Sequence, residues 1–235
     1  MIVKPFGISE RKIANAHVPR ERYYGTFSMV ARCAQTGELG VCVSTAVPAV
    51  GSVVPHVELG VAAIATQATT NVMYGIRGLQ LLRLGLSPET VLTALLAEDD
   101  KREVRQVSII DSLGRNVAHT GTDAVEWKGH LLGRNYVVAG NMLVGPQVIQ
   151  AMAGRFESSE SSLEDRLIAV LEAGQAAGGD KRGRVSAALL VKKINPERKL
   201  RPYIDLRVDD HPDPVRELRR IFDAYKTRYF PPHNQ

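Results

Sequence analysis

Five residues, Ala34 and the turn signal Gln35-Thr36-Gly37-Glu38, separate two runs rich in strand formers, Thr26–Cys33 and Leu39–Thr45. A turn this short can only return the chain antiparallel, because parallel neighbours need a crossover of roughly a dozen residues or more. The first regular element is therefore a β-hairpin, with Val41 and Val43 on one face of its second strand. Later segments repeat the preference. Val47–Pro55, with two prolines and Gly51, reads as a loop, and Gly60–Ala65 as a short apolar strand. Arg105–Asp111 and Asn116–Thr120 form a second strand pair around Ser112-Leu113-Gly114-Arg115. Tyr136–Ala139 is a strand that reaches Gly140-Asn141. Val185–Lys192 is a strongly apolar strand, and Pro202–Val208 is the last.

Helical patterns fall between these groups. Leu79, Leu82 and Leu86 mark a helix that should end near Gly85. Ser87-Pro88 supplies the N-cap and first-turn proline of a second helix, whose apolar positions include Val91, Leu92, Leu95 and Leu96. Pro146 opens a helix through Phe156. Ser161 with Glu164 makes a capping box for a helix ending near Gly174. Asp213-Pro214 starts a final helix with Val215, Leu218, Phe222 and Tyr225 on one face. Antiparallel strand groups alternating with paired helices exclude a doubly wound parallel sheet, which expects one helix between successive strands. The class is α+β, with antiparallel sheets covered on their outer faces by helices. Nothing divides the chain, so residues 26–228 are expected to form one domain. Residues 1–25 are a propeptide, an ordered arm or an over-long start, and 229–235 a tail.

Composition narrows the function. The chain has 235 residues, 44% hydrophobic and 23% charged, the balance of a globular protein rather than a disordered one. No apolar run can span a bilayer. Residues 1–25 mix Lys4, Arg11, Lys12, Arg20 and Arg22 with prolines, so they are not a secretory signal, and a cytoplasmic setting is expected. Cys33 and Cys42 flank the hairpin turn and read as free thiols in or near the core. The net charge of +5 accompanies no zinc finger, RNP-like strand or basic–aromatic stripe, so neither nucleic acid nor membrane is an expected partner. The favoured reading of the charge is a solvated basic surface; a basic pocket for a small anionic molecule is the more useful functional reading, and the expected assembly is a homo-oligomer. No Walker motif, G-x-G-x-x-G, H-E-x-x-H or G-x-S-x-G element occurs, and no cofactor is expected. Asp209-Asp210-His211-Pro212-Asp213 resembles a metal run, but Asp213 serves the helix start and no metal is expected.

The candidate chemistry centres on Gly25-Thr26. Cleavage of that peptide bond would give Thr26 both a hydroxyl nucleophile and a free α-amine, whose ordinary pKa of ~8 suits it to take the hydroxyl proton. The competing reading of Thr26 is a threonine that favours the start of a strand. Ser28 lies two residues on, on the same face, to line a pocket or to pack. Gln67, in the polar cluster Thr66-Gln67-Ala68-Thr69-Thr70-Asn71, and Asn141 can each donate to an oxyanion, or else hydrogen-bond locally in loops. Asp180 and Arg182 lie in the tight loop Gly178-Gly179-Asp180-Lys181-Arg182-Gly183. Arg182 either forks onto a substrate carboxylate or pairs with Asp180 to hold the loop, and Arg105 has the same two readings. Trp127 and His130 lie in a glycine-punctuated segment and read as packing or pocket-rim residues.

Thr26-Phe27-Ser28-Met29-Val30-Ala31, Ala65-Thr66-Gln67-Ala68, Tyr74-Gly75-Ile76-Arg77-Gly78-Leu79, Gly140-Asn141-Met142-Leu143 and the Gly178–Gly183 loop follow one another in an order that resembles the domain of unknown function 1028 family. That family is placed with the N-terminal nucleophile (Ntn) hydrolases, and the resemblance runs from Thr26 to about Tyr225. It implies a four-layer αββα sandwich. It also implies hydrolysis of a small amide, with Thr26 as nucleophile and Asn141 or Gln67 at the oxyanion, and Ser28, Arg105, Asp180 and Arg182 around the substrate. The alternative is a noncatalytic binding protein that keeps the fold and pocket but never exposes Thr26. The chain departs from the resemblance twice. Residues 1–25 precede the threonine, so self-cleavage would be needed. Where a basic residue is expected after the second strand, this chain has Ser44-Thr45-Ala46.

Overall fold

The computed structural model describes residues 25–193 and 203–229. The strands are β1 (Thr26–Arg32), β2 (Leu39–Thr45), β3 (Pro55–Glu58), β4 (Ala62–Ala68), β5 (Arg105–Asp111), β6 (Asn116–Thr120), β7 (Gly129–Gly133), β8 (Tyr136–Asn141), β9 (Ser186–Lys192) and β10 (Tyr203–Val208). The five α-helices among the described residues are α1 (Val72–Arg83), α2 (Pro88–Ala97), α3 (Gln147–Glu157), α4 (Leu163–Ala176) and α5 (Pro214–Tyr229). The strands make two sheets, one ordered β10-β9-β2-β1-β8-β7 and the other β3-β4-β5-β6. Every strand pairing in both is antiparallel. The opening hairpin pairs Arg32 with Leu39 and Thr26 with Thr45.

The side-chain period of two sorts β1 between two apolar clusters. Phe27, Met29 and Ala31 face a cluster with Met152 of α3, Leu167 and Leu171 of α4, and Phe222 of α5. Val30 faces the second sheet and packs with Val41, Val43, Ala63 and Ile110. Both faces of β1 are thus covered, which explains why its sequence alternates only loosely. A third cluster joins Ile64 and Ile109 of the second sheet to Tyr74 and Leu82 of α1 and to Val91, Leu92 and Leu95 of α2. Gly75 lets α1 come close to β3: a Cβ there would lie 2.2 Å from the His56 ring. Cys42 is buried and Cys33 half-buried, both as free thiols. No helix among the described residues is long and apolar enough to cross a membrane.

Several expectations shift. The segment read as a loop through Pro55 continues as β3, an edge strand, where a leading proline leaves no ladder hydrogen bond missing. The short strand at Gly60–Ala65 is β4, and it runs on through Thr66, Gln67 and Ala68, all buried. Thr66 and Gln67, the polar residues among them, belong to the sheet rather than to the loop after it. Gly129–Gly133, read as an irregular glycine-punctuated segment, is the edge strand β7. Helix α1 stops at Arg83, so Leu86 lies beyond it and is 38% exposed. The α4 cap is Ser162, not Ser161. Glu164 closes no capping box and is buried against Lys193 instead. Asp213 stands just before α5 with its carboxylate 3.4 Å from Arg184. The reading of residues 1–24 as a propeptide or arm lies outside the described residues, as does the tail beyond Tyr229.

Candidate functional site

The start of β1 lies between β2 and β8, so Thr26 has Thr45 on one side and Asn141 on the other. Thr26 is 2% exposed. Its hydroxyl donates to Thr45 Oγ1 at 3.3 Å, and the Thr45 hydroxyl donates in turn to the carbonyl oxygen of Gly25. A second donor reaches the same oxygen, Arg182 Nη2 at 3.0 Å. The carbonyl of the Gly25–Thr26 bond therefore accepts one hydroxyl and one cationic donor.

Arg182 is aimed by Asp180. Its Nη2 and Nε donate to the two Asp180 oxygens at 2.6 and 3.1 Å, and its backbone N–H adds a third bond at 2.9 Å. The Asp180 side chain is 1% exposed and also accepts from Ala46 N–H at 3.2 Å. That bond ties the loop to the end of β2. Backbone bonds from Lys181 to Met142 and from Val144 to Gly179 lay the loop beside the segment that follows β8. Gly25 fits this corner because it has no side chain. A Cβ would lie 2.6 Å from Asp180 Oδ2 and 2.6 Å from Met142 Cβ.

A ladder of buried amides and hydroxyls runs across the space between the sheets. Ser28 Oγ donates to Gln67 Oε1 at 2.6 Å, and Gln67 Nε2 donates to Gln106 Oε1 at 2.7 Å. Asn141 Nδ2 donates to the same Gln106 oxygen at 3.0 Å. Gln106 Nε2 donates to Gly140 O at 2.9 Å and to Thr120 Oγ1 at 2.9 Å. Thr120 Oγ1 lies 2.8 Å from His130 Nδ1. Burial, with the charge of His119 adding to it, pushes the His130 pKa below its ordinary value. The buried amides are satisfied by one another, which fixes their orientation and that of the strand ends carrying them.

Of the seven residues singled out from the sequence, Thr26, Asp180 and Arg182 meet at the Gly25–Thr26 bond. Ser28, Gln67 and Asn141 meet through Gln106, and Asn141 is also the cross-strand partner of Thr26. Arg105 is placed elsewhere. Its guanidinium donates to Asp99 Oδ2 at 2.9 Å and to Thr69 O at 2.7 Å, in a cluster with Tyr74 and Asn71. Burial opposes ionisation of Asp99, but Arg105, the Lys101 N–H, Tyr74 and Asn71 together bring its pKa down to about 2. The run Asp209–Asp213 assembles no ligand set, and no cluster of three or more potential ligands is found among the described residues.

Two participants escaped the sequence reading. Gln106 is one, since nothing local places it opposite Gln67. Thr45 is the other and has no role in that reading, although counting outward from the short hairpin turn sets it against Thr26. Beside Thr26 the structure also forms a cavity of about 310 Å³, walled mainly by Val47, Pro48, Val50, Val54 and Val72.

A family model described as a family of unknown function, DUF1028, matches residues 26–218. The crystal structure of a protein from Silicibacter pomeroyi, assigned to the same family, superimposes with a TM-score of 0.79 at 33% sequence identity. The match covers 86% of this chain and 90% of that one. No curated protein matches the chain.

Proposed function

The chain belongs to the DUF1028 family, and from that premise we propose that it is an Ntn-type amide hydrolase whose nucleophile is Thr26. The two sheets with their flanking helices are then the four layers of an αββα sandwich. The observation that carries the proposal is the pairing of donors on Gly25 O, Thr45 Oγ1 and Arg182 Nη2, with the Thr26 hydroxyl hydrogen-bonded into the same set. Preorganised donors on a carbonyl oxygen stabilise the negative charge that develops when the carbon is attacked.

In the proposed self-cleavage, Thr26 Oγ1 attacks the Gly25 carbonyl carbon. The Thr26 hydroxyl proton passes to Thr45 Oγ1, and the Thr45 proton passes to the former carbonyl oxygen, so the negative charge that develops there beside Arg182 in the transition state is neutralised in the tetrahedral intermediate. Collapse breaks the C–N bond. The proton returns from that oxygen, by way of Thr45, to the departing Thr26 nitrogen. The result is an ester between Gly25 and Thr26 Oγ1. Water hydrolyses the ester, releasing residues 1–25 with a new carboxylate and leaving Thr26 with a free amine. A substrate carbonyl can then take the place of Gly25 O against Thr45 and Arg182, while the amine accepts the Thr26 proton. The family match begins at Thr26 itself, in keeping with a mature chain that starts there. Asn141 and Gln67 hold the strand ends in register in this scheme, and the role at the oxyanion passes to Thr45 and Arg182. The proposal carries with it one catalytic domain at 26–228, a cytoplasmic setting and a homo-oligomeric assembly.

The test is the intact mass and N-terminal sequence of the purified protein over time. Loss of residues 1–25, with Thr26 as the new N-terminus, is the expected result. A permanently intact chain that turns over amides would overturn it. The cavity beside Thr26 exists with the Gly25–Thr26 bond unbroken. A permanently intact and inactive chain would therefore favour the binding-protein alternative.

A further inference from the structure

The cavity beside Thr26 carries information about what the site accepts. We propose that it is an acyl pocket for a neutral aliphatic group, so that the substrate class is the amides of short, uncharged fatty acids rather than anionic amides. The inference deepens the hydrolase reading, and rests on it for the word substrate. The pocket itself requires only that an apolar ligand be bound there.

Three observations support the assignment. First, no ionisable side chain is among the described residues that line the cavity. Its polar contributions come from Thr26, Ser52 and Thr70, and the rest is Val, Pro and Ala. Transferring an aliphatic chain into such a wall is favourable, whereas a carboxylate would lose its water and gain no cation. Second, neither arginine singled out from the sequence is among the described residues that line the cavity. Arg182 binds Asp180 and Gly25 O, and Arg105 binds Asp99 and Thr69 O. Third, the wall is built before any ligand arrives. Ser186 Oγ donates to Val47 O at 2.6 Å and accepts from Val50 N–H at 3.1 Å. Ala49 N–H donates to Asp209 O at 2.9 Å, and Thr66 N–H to Val54 O at 3.2 Å. A cavity of about 310 Å³ lies at the small end of ligand sites, roughly 300–1,000 Å³, which sets the scale at a short chain.

The experiment is a titration of the intact, uncleaved protein with butanamide, hexanamide and succinamate, followed through valine methyl NMR signals. The aliphatic amides should shift Val47, Val50 and Val54. Affinity should rise roughly tenfold from butanamide to hexanamide, for two more buried methylenes. Succinamate should bind at least about tenfold more weakly than hexanamide. Val72→Phe, which fills the cavity from the first turn of α1, should weaken hexanamide by about tenfold or more. If that variant does not fold, the comparison among the three ligands on the natural chain decides. Tighter binding of succinamate, or hexanamide shifts confined to other valines, would overturn the assignment. Because the readout needs no cleavage and no turnover, failure of the pocket and failure of the hydrolase proposal are separate results. Cleavage without methyl shifts removes only the pocket, and methyl shifts without cleavage remove only the chemistry.

Discussion

Two arginine–aspartate pairs divide the molecule between them. Arg182–Asp180, at 2.6 Å, lies beside β1 and β2 in the first sheet. Arg105–Asp99, at 2.9 Å, lies where the second sheet meets α1 and α2. In the sequence the two arginines have the same two readings. In the structure Arg105 closes a junction: it joins the residues before β5 to the Thr69 carbonyl, while Asp99 takes Tyr74 and the Asn71 side chain that caps α1. Those partners all belong to the scaffold. Arg182 also holds a loop, but it reaches past that loop to the carbonyl of one peptide bond, where a threonine hydroxyl already donates. An ion pair that satisfies only its own neighbourhood is structural, whereas one that presents a donor to a reactive bond is available to chemistry. If the comparison is right, changes in the first region alter cleavage, and changes in the second alter stability alone.

The largest effect belongs to Thr26. Thr26→Ala should abolish removal of residues 1–25 with the fold retained, and Thr26→Ser should keep part of it. Asp99→Asn should leave cleavage at its natural extent. Intact mass after purification checks all three. Normal cleavage in Thr26→Ala would end the nucleophile reading and the comparison with it.

Thr45 comes next. Thr45→Val keeps the shape and removes the relay hydroxyl, and should slow cleavage by about 10²–10⁴-fold, the range for losing a positioned proton-transfer group. Thr45→Ser should recover most of the rate. Equal rates in the Val and Ser variants would show that the hydroxyl only packs. The time course of mass loss after rapid purification distinguishes these outcomes.

The two arginines themselves give the direct contrast. Arg182→Lys preserves a charge opposite Asp180 but loses the planar fork that also reaches Gly25 O. Cleavage should slow by about 10²-fold, with urea stability changed by about 1 kcal/mol or less. Arg105→Gln should leave the cleavage rate unaltered and cost about 3 kcal/mol, because it strands a largely buried Asp99. Both measurements on both variants are needed. A cleavage defect in Arg105→Gln as deep as that in Arg182→Lys would erase the distinction between the regions.

How much of this was legible beforehand follows the same division. The β1–β2 hairpin was readable because its turn is short, and that turn sets Thr45 opposite Thr26. The pattern of antiparallel groups and helices was readable because amphipathic periods are local. What the sequence concealed was polar residues buried by mutual satisfaction. Thr66 and Gln67 read as a loop because hydrophobic pattern equates polar with exposed, yet Gln67 is buried against Ser28 and Gln106. The meeting of Thr26 with Asn141, and of Arg182 with Gly25, joins segments more than a hundred residues apart, which no local pattern encodes. Strands β3 and β7 escaped because short edge strands need not alternate.

The smallest expected effect is on pH, and it too separates the regions. His56, against α1, and His130, at the end of the amide ladder, both have pKa values lowered mainly by burial from an ordinary 6.5. The unfolded chain therefore binds more protons than the folded one below that value. Stability should be flat above pH ~6.5 and decline as the pH falls below it. Asp99 acts in a different window. Its pKa falls from an ordinary 3.8 to about 2, so the stability it contributes is complete above 3.8 and lost only as the pH drops from there toward 2. Urea midpoints at pH 7.5, 6 and 5 should show the histidine slope, and His130→Gln and His56→Gln should each flatten part of it. Asp99→Asn should leave that slope alone and flatten only the decline below about pH 4. Of the two histidines, only His130 touches the ladder that holds Asn141. Its replacement should therefore also change the pH dependence of the cleavage rate, and that of His56 should not. If both replacements change it alike, the ladder is not connected to the Thr26 bond in the way the hydrogen bonds imply.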